Sequence, residues 1–250
     1  MKFFIMTNKY MYFVANWKMF GDFKSLKLVN KVISFSQKFK YSKFKIIYLP
    51  PTTLICPMAQ MVKNTKIEVG AQNCHHQDNY GAETGSVNAM MVKGVGAKYV
   101  ILGHSENREK GESDKLINQK IKTALKNKLK VIFCIGEKIK DKRNKKTKSV
   151  LSKQIKLGLK GVKLNNNIII AYEPVWAIGS GMIPKSNELF KAINFIKSRF
   201  KQNLKILYGG SVNDKNINEL KTIRNIDGFL VGGASQNSKK FIDIIKKTYN

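Results

Sequence analysis

Cysteine, proline and acidic residues are all scarce in this chain of 250 residues, which has 3 cysteines, 5 prolines and 16 aspartates and glutamates. Cys56, Cys74 and Cys134 are odd in number and follow no CxxC or Cys/His ligand spacing, so we predict neither a disulfide framework nor a zinc site. The apolar patch at the start is too short for a secretory signal. These features favour a reducing, cytoplasmic compartment.

Long apolar runs are absent too: none approaches the roughly 20 residues that cross a bilayer, so we expect no membrane-spanning segment. Lysine and arginine together number 46, which gives a formal net charge of +30. Only four of these residues are arginines, the side chain that nucleic-acid readers favour, and the lysines lie along nearly the whole chain. We therefore favour a solvated lysine surface over nucleic-acid binding, with attraction to polyanions as the alternative.

Short apolar runs alternate with longer helical patterns. Most of the runs are continuously apolar, which is typical of parallel strands buried on both faces. The runs predict strands at 12–18, 44–49, 66–73, 99–103, 130–135, 167–172, 204–208 and 229–231.

The helical patterns between these strands have apolar residues at helical spacing, for example within 117–125 and 189–200, and lysines on the opposite faces. The lysine-dense segment 138–148 is predicted to be a solvated loop or the start of a helix. About eight βα units in one chain of this length predict an α/β fold, a single (β/α)8 barrel over residues 1–250. A doubly wound open sheet is the alternative, but no GxGxxG follows the first strand.

Polar and glycine residues follow the predicted strands, where a parallel barrel gathers its functional groups on one face. Taken singly, a lysine, histidine or glutamate at a strand end is usually structural, whereas their joint occurrence at several strand ends points to a site. These residues are Asn16 and Lys18 at the end of the first strand, His104 and Glu106 after the fourth, Glu173 after the sixth, and glycine pairs after the seventh and eighth.

The two glycine turns suggest a phosphate site, because backbone N–H groups without a neighbouring Cβ can approach an anion closely. Gly210, Ser211, Gly232 and Gly233 are the candidates. Phosphate binding after the last two strands recurs in such barrels.

The remaining groups suggest chemistry on a carbonyl. Glu173 can act as a proton-abstracting base in a dry site, while His104, with Ser105 as the cap of the following helix, can serve as a neutral hydrogen-bond donor. Lys18 and Asn16 can stabilise an enediolate-like intermediate. The glycine-rich segment 174–181 has the composition of a mobile lid.

These segments closely resemble the motifs of the triosephosphate isomerase family, in order and spacing. The motifs are ANWKM (15–19), GHSE (103–106), CIGE (134–137), AYEPVWAIG (171–179), YGGSV (208–212) and LVGGAS (230–235). The pairing of a glutamate base with a neutral histidine is a known feature of this family.

The resemblance implies a TIM barrel that interconverts dihydroxyacetone phosphate and glyceraldehyde 3-phosphate, in glycolysis and gluconeogenesis, without cofactor or metal. It implies catalytic roles for Glu173, His104, Lys18 and Asn16. Glu106 is similar to the family's buried carboxylate near the lysine. Backbone N–H groups would bind the substrate phosphate at Gly179, Ser211, Gly232 and Gly233.

The resemblance also implies a homodimer in which the loop after the third strand, residues 72–85, enters the partner. Thr84 would then approach the partner's Asn16 and His104. Residues 1–10 exceed the family's usual start and form an N-terminal extension. Phe20 stands where the family usually has Asn, and we expect this to alter the support of Lys18.

Two other classes of function remain open on the residues alone. One is another phosphate-binding barrel, such as a Schiff-base aldolase that uses Lys18, although the pairing of Glu173 with His104 favours proton transfer. The other is a catalytically idle barrel that binds polyanions through its lysines.

Overall fold

The computed structural model describes residues 9–39 and 43–250. In this part of the chain, eight parallel strands close into a barrel in their sequence order. The strands are β1 (Met11–Asn16), β2 (Phe44–Leu49), β3 (Ile67–Ala71), β4 (Tyr99–Leu102), β5 (Lys130–Ile135), β6 (Ile168–Tyr172), β7 (Lys205–Tyr208) and β8 (Gly228–Val231).

Closure is visible in the pairing of β1, which lies between β2 and β8. Phe13 is in register with Ile46 on one side and with Phe229 on the other. The predicted (β/α)8 barrel is thereby confirmed, and the open doubly wound sheet is excluded.

All eight predicted strands are present, two of them with the predicted bounds. The others differ by one or two residues at an end, because the ladder of hydrogen bonds rather than the apolar run sets where a strand stops. The predicted extension 1–10 lies outside the described residues except for Lys9 and Tyr10. Lys9 donates to the carbonyl of Ile226 at 2.6 Å and so attaches to the outside of the barrel bottom.

Helices pack around the strands. The helices are α1 (Lys27–Lys38), α2 (Ile55–Met61), α3 (Ala89–Gly94), α4 (Ser105–Glu109), α5 (Asp114–Lys126), α6 (Ile139–Arg143), α7 (Thr147–Gly158), α8 (Ser186–Ser198), α9 (Ile217–Leu220) and α10 (Ser238–Tyr249). The helical pattern at 117–125 falls within α5, and the pattern at 189–200 falls within α8 except for its last two residues. The segment 138–148, predicted to be a loop or helix start, contains α6 and the start of α7.

The core has two layers, because alternate residues of a strand point to opposite faces. Val14, Ile169 and Leu207 belong to the cluster inside the barrel, whereas Phe13 and Ile170 belong to the cluster between strands and helices. Both faces of each strand are therefore apolar, which explains the continuous runs in the sequence.

Candidate active site

Because successive side chains of a strand point to opposite faces, several of the predicted site residues face the mouth of the barrel. Val14 points inward on β1, and Asn16 is the next residue in phase with it. In the same way, Glu173 follows Ala171 of β6, and Gly232 follows Leu230 of β8. These three residues line one cavity of about 430 Å³ at the carboxyl ends of the strands.

Glu173 is buried in this cavity, with 3 % of its surface exposed, and its Oε2 atom has no hydrogen-bond partner. Two glycines make room for it. A Cβ on Gly136 would lie 1.8 Å from the Glu173 carbonyl oxygen, and one on Gly209 would lie 2.8 Å from the Glu173 Cγ. The glycines therefore allow the backbones of β5 and β7 to approach Glu173 closely.

His104 lies opposite Glu173, with its Nε2 atom 3.4 Å from Glu173 Oε1. The N-terminal cap of α4 is His104 itself and not Ser105 as expected, because its Nδ1 atom accepts the backbone N–H of Glu106 at 3.3 Å. An Nδ1 that accepts carries no proton, so the neutral ring has its proton on Nε2. That proton faces the cavity.

Lys18 brings an ammonium group to the same cavity. Its backbone has a positive φ of 56°, a conformation that residues other than glycine rarely adopt. Its backbone N–H donates to Asn16 Oδ1 at 3.1 Å, and its Nζ lies 2.6 Å from Glu106 Oε1. Glu106 is thus near the lysine as expected. It is not buried, since its side chain is 49 % exposed at the edge of the barrel.

The cavity is also lined by the predicted phosphate-binding residues: Gly179, Ser211, Gly232 and Gly233. Gly210, the other candidate, is not part of the lining. A Cβ there would lie 2.4 Å from the hydroxyl of Tyr208, so Gly210 makes room for that ring.

The segment 174–181 borders the cavity and begins with a short 3-10 turn, Val175–Ala177. Its Trp176 donates from Nε1 to Glu137 Oε1 at 3.0 Å, and the Tyr172 hydroxyl donates to the same carboxylate. Burial raises the pKa of Glu137, although both hydrogen bonds act in the opposite direction. Ile178 and Gly179 from this segment face the cavity.

Similarity to known proteins agrees with this geometry. The profile of a family described as Triosephosphate isomerase matches residues 11–248. This chain belongs to the triosephosphate isomerase family. The chain is 40% identical over 249 residues to the triosephosphate isomerase of Thermodesulfovibrio yellowstonii, covering 94% of this chain and 98% of that protein. Against the enzyme of Dictyoglomus turgidum it is 40% identical over 248 residues, covering 93% and 97%.

A crystal structure of the triosephosphate isomerase from Bartonella henselae superposes on this chain with a TM-score of 0.88, at 32% sequence identity. The superposition covers 96% of this chain and 100% of the other. Membership in the triosephosphate isomerase family makes the chain an isomerase.

Two glutamines at this triosephosphate isomerase site did not stand out in the sequence. Gln236 Nε2 donates to the Trp17 carbonyl at 2.9 Å, and Gln72 Nε2 donates to the Lys18 carbonyl at 2.8 Å. They hold both peptide groups around the strained Lys18. Gln236 directly follows the last glycine motif, and this position was the only available signal.

Two further residues that the sequence analysis singled out from the resemblance to the triosephosphate isomerase family, Thr84 and Phe20, are not part of the cavity lining. Thr84 is exposed on the loop after β3. Phe20 packs edge-on against Trp17, with ring centroids 5.7 Å apart, and so supports the turn that carries Lys18 from the apolar side.

None of the helices in the described part of the chain has the length and apolar character needed to cross a membrane. Within residues 9–39 and 43–250, no cluster of three or more His, Cys, Asp or Glu side chains could hold a metal ion.

Proposed function

We propose that Glu173, His104, Lys18 and Asn16 are the catalytic residues of this isomerase. As a member of its family, the chain interconverts dihydroxyacetone phosphate and glyceraldehyde 3-phosphate, a step of glycolysis and gluconeogenesis. The two substrates differ only in the position of a carbonyl and of one carbon-bound proton. The chemistry therefore consists of moving protons, and we propose that it needs no cofactor or metal.

Glu173 takes the proton from the carbon next to the carbonyl and returns it to the neighbouring carbon. Its buried Oε2 has no protein partner and is free to bind that proton. His104 donates its Nε2 proton to the substrate oxygens, which stabilises the enediolate as its charge develops. Lys18 adds a positive charge, and Asn16 adds an amide donor, in the same cavity.

The phosphate group of the substrate lies against the glycine turns after β7 and β8. Ser211, Gly232 and Gly233 line the cavity there and offer their backbone N–H groups to this anion, and Gly179 adds one from the segment 174–181. This anchor places the reacting carbons between Glu173 and His104, which lowers the entropic cost of reaching the transition state.

The observation that carries the assignment is the 3.4 Å separation between Glu173 Oε1 and His104 Nε2 in one buried cavity. A Schiff-base aldolase would instead need a desolvated, unpaired lysine. Lys18 is 30% exposed and ion-paired with Glu106, which favours an electrostatic role.

A coupled assay with glyceraldehyde 3-phosphate tests the proposal. Glu173→Asp withdraws the carboxylate by one methylene, and we expect kcat to fall at least about 100-fold with an unchanged circular dichroism spectrum. Glu109→Asp, an exposed residue of α4, is the control. Full activity of Glu173→Asp, or covalent trapping of substrate on Lys18 by borohydride, would contradict the mechanism.

We further propose that the chain is a homodimer formed through the loop 72–85 and acts in the cytoplasm as a single barrel domain. The loop is mostly exposed, and Tyr80 at its tip is 73% exposed. Met19, directly after Lys18, is fully exposed. Covering these apolar side chains with a partner would remove them from water.

A further inference from the structure

A second cavity of about 420 Å³ lies between α6, α7 and α8, and we call it the α7–α8 pocket. Trp176 and Pro184, which lie in and just beyond the segment 174–181, form part of its wall. Ile178 and Gly179 from the same segment line the active-site cavity. One stretch of chain therefore contributes to both cavities.

The apolar lining of the α7–α8 pocket is partly aromatic. Leu151 of α7 and Phe195 of α8 contribute to it, together with Tyr172 at the end of β6 and the Trp176 ring. Its volume falls in the range of about 300–1,000 Å³ that is usual for small-molecule sites. The lining suits a flat apolar or aromatic group.

Four lysines surround this apolar lining, namely Lys142, Lys145, Lys148 and Lys191. Lys142 Nζ lies 3.8 Å from the centroid of the Trp176 ring, and Lys148 Nζ lies 5.6 Å from that of Phe195. These cation–π contacts hold the ammonium groups close to the aromatic rings.

The acidic residues of the pocket form an ion pair with only one of these four lysines among the described residues. Glu188 pairs with Lys142 at 2.9 Å, while the carboxylate of Glu137 is almost fully buried and accepts hydrogen bonds from Trp176 and Tyr172. Lys145, Lys148 and Lys191 have no carboxylate oxygen within 4.0 Å among the described residues. The pocket therefore carries excess positive charge beside an apolar surface.

We propose that the α7–α8 pocket binds a small planar aromatic anion, with its ring on Phe195 and Leu151 and its anionic group among the lysines. Because Trp176 belongs to both the pocket and the segment 174–181, the bound anion restrains that segment and slows the reaction. Binding itself does not depend on the proposed function, whereas its effect on turnover does. The pocket shares no residue with the loop 72–85, through which we propose that the dimer forms.

Isothermal titration calorimetry with AMP as the probe tests the binding. We expect a Kd below about 1 mM for the full chain and at least about tenfold weaker binding by Lys148→Glu/Lys191→Glu. Lys153→Glu/Lys156→Glu, on exposed positions of α7, changes the net charge equally and should bind AMP as the unaltered chain does. Equal weakening in both variants, or equal affinity for adenosine, would overturn the proposal.

Two further measurements locate the bound AMP. Ala192→Leu narrows the pocket without changing its charge, so we expect it to weaken AMP binding even if the charge variant fails to fold. Glycerol 3-phosphate, which lacks the reactive carbonyl, should occupy the active site without displacing AMP. Displacement by glycerol 3-phosphate, or an unaffected Ala192→Leu variant, would place AMP elsewhere and refute the site.

Steady-state kinetics test the effect on turnover separately. Saturating AMP should lower kcat at least about twofold without raising KM, and this effect should disappear in Lys148→Glu/Lys191→Glu. An unchanged kcat with intact binding would refute the restraint of the segment. An enzyme that is inactive on triose phosphates while AMP still binds would contradict the proposed function instead.

Discussion

The Ser211 hydroxyl accepts a hydrogen bond from the backbone N–H of Gly181 at 3.1 Å. The same hydroxyl donates to the carbonyl of Ala177, in the middle of the segment 174–181. Ser211 also lies in the turn where we place the substrate phosphate. One side chain thus joins the middle and the end of the segment to that turn.

Ser211→Ala should lower kcat/KM by roughly 30-fold. It removes the hydrogen bonds to Gly181 and Ala177, and each contributes about 1 kcal/mol. The backbone N–H of Ser211 remains for the phosphate, so the loss reports on the segment 174–181. Steady-state kinetics measure it, with Ser180→Ala as the control, because among the described residues the Ser180 hydroxyl accepts only from the backbone N–H of Met182, one residue beyond the segment. Equal effects in both variants would contradict the role of Ser211.

Gln236→Met should lower kcat by roughly fivefold, because it removes the hydrogen bond of about 1 kcal/mol that holds the Trp17 carbonyl beside Lys18. We expect little change in the melting temperature. Kinetics and thermal melting of the variant check this, with Gln60→Met on the exposed face of α2 as the control. An unchanged kcat would mean that Gln72 alone holds the turn.

Glu68 of β3 should make folding stability depend on acid pH. Burial alone would raise its pKa, but nearby Lys45 and Lys98 outweigh this and lower it from 4.5. A lowered pKa stabilises the fold above the unfolded value, and this contribution is lost as pH falls through the folded value. Glu68→Gln should therefore cost about 1 kcal/mol at pH 7.

Urea unfolding at a series of pH values checks the Glu68 prediction. The difference between Glu68→Gln and the unaltered chain should shrink as pH drops below 4.5. Glu109→Gln is the control, since Glu109 is exposed and has no ion pair among the described residues. A difference that grows on acidification would contradict the assigned direction.

Dilution should lower the specific activity if the loop 72–85 completes the site of a partner chain. Tyr80→Ser exposes less apolar surface, so the loss should begin at a higher protein concentration in this variant. Activity and sedimentation velocity measured on the same samples test this, with Leu157→Ser on α7 as the control. Undiminished activity in a demonstrated monomer would contradict the dimer.

The barrel could be predicted from the sequence because local patterns determine its strands. Runs such as 46–49 and 131–135 are apolar at every position, as burial on both faces requires. The carboxyl ends of parallel barrel strands meet on one face, so Glu173 and Asn16 at strand ends could be assigned to a common site. Family motifs then point to the same residues.

Contacts between distant parts of the chain could not be predicted in this way. Gln236 reaches the Trp17 carbonyl across 219 positions, and nothing local distinguishes it from a surface glutamine. The sequence predicts Ser105 as the cap of α4, because serine is a common cap, whereas in the structure the His104 ring is turned so that its Nδ1 atom takes that role.

Local sequence patterns are enough to predict the strands, their two-sided burial and the polar or glycine residues at several strand ends, because these depend on period and neighbours along the chain. The 3.4 Å between Glu173 and His104, the half-exposed position of Glu106 and the second charged pocket beside Trp176 are known only from the folded chain. Such distances depend on how closed strands and packed helices bring remote residues together, which no local pattern encodes.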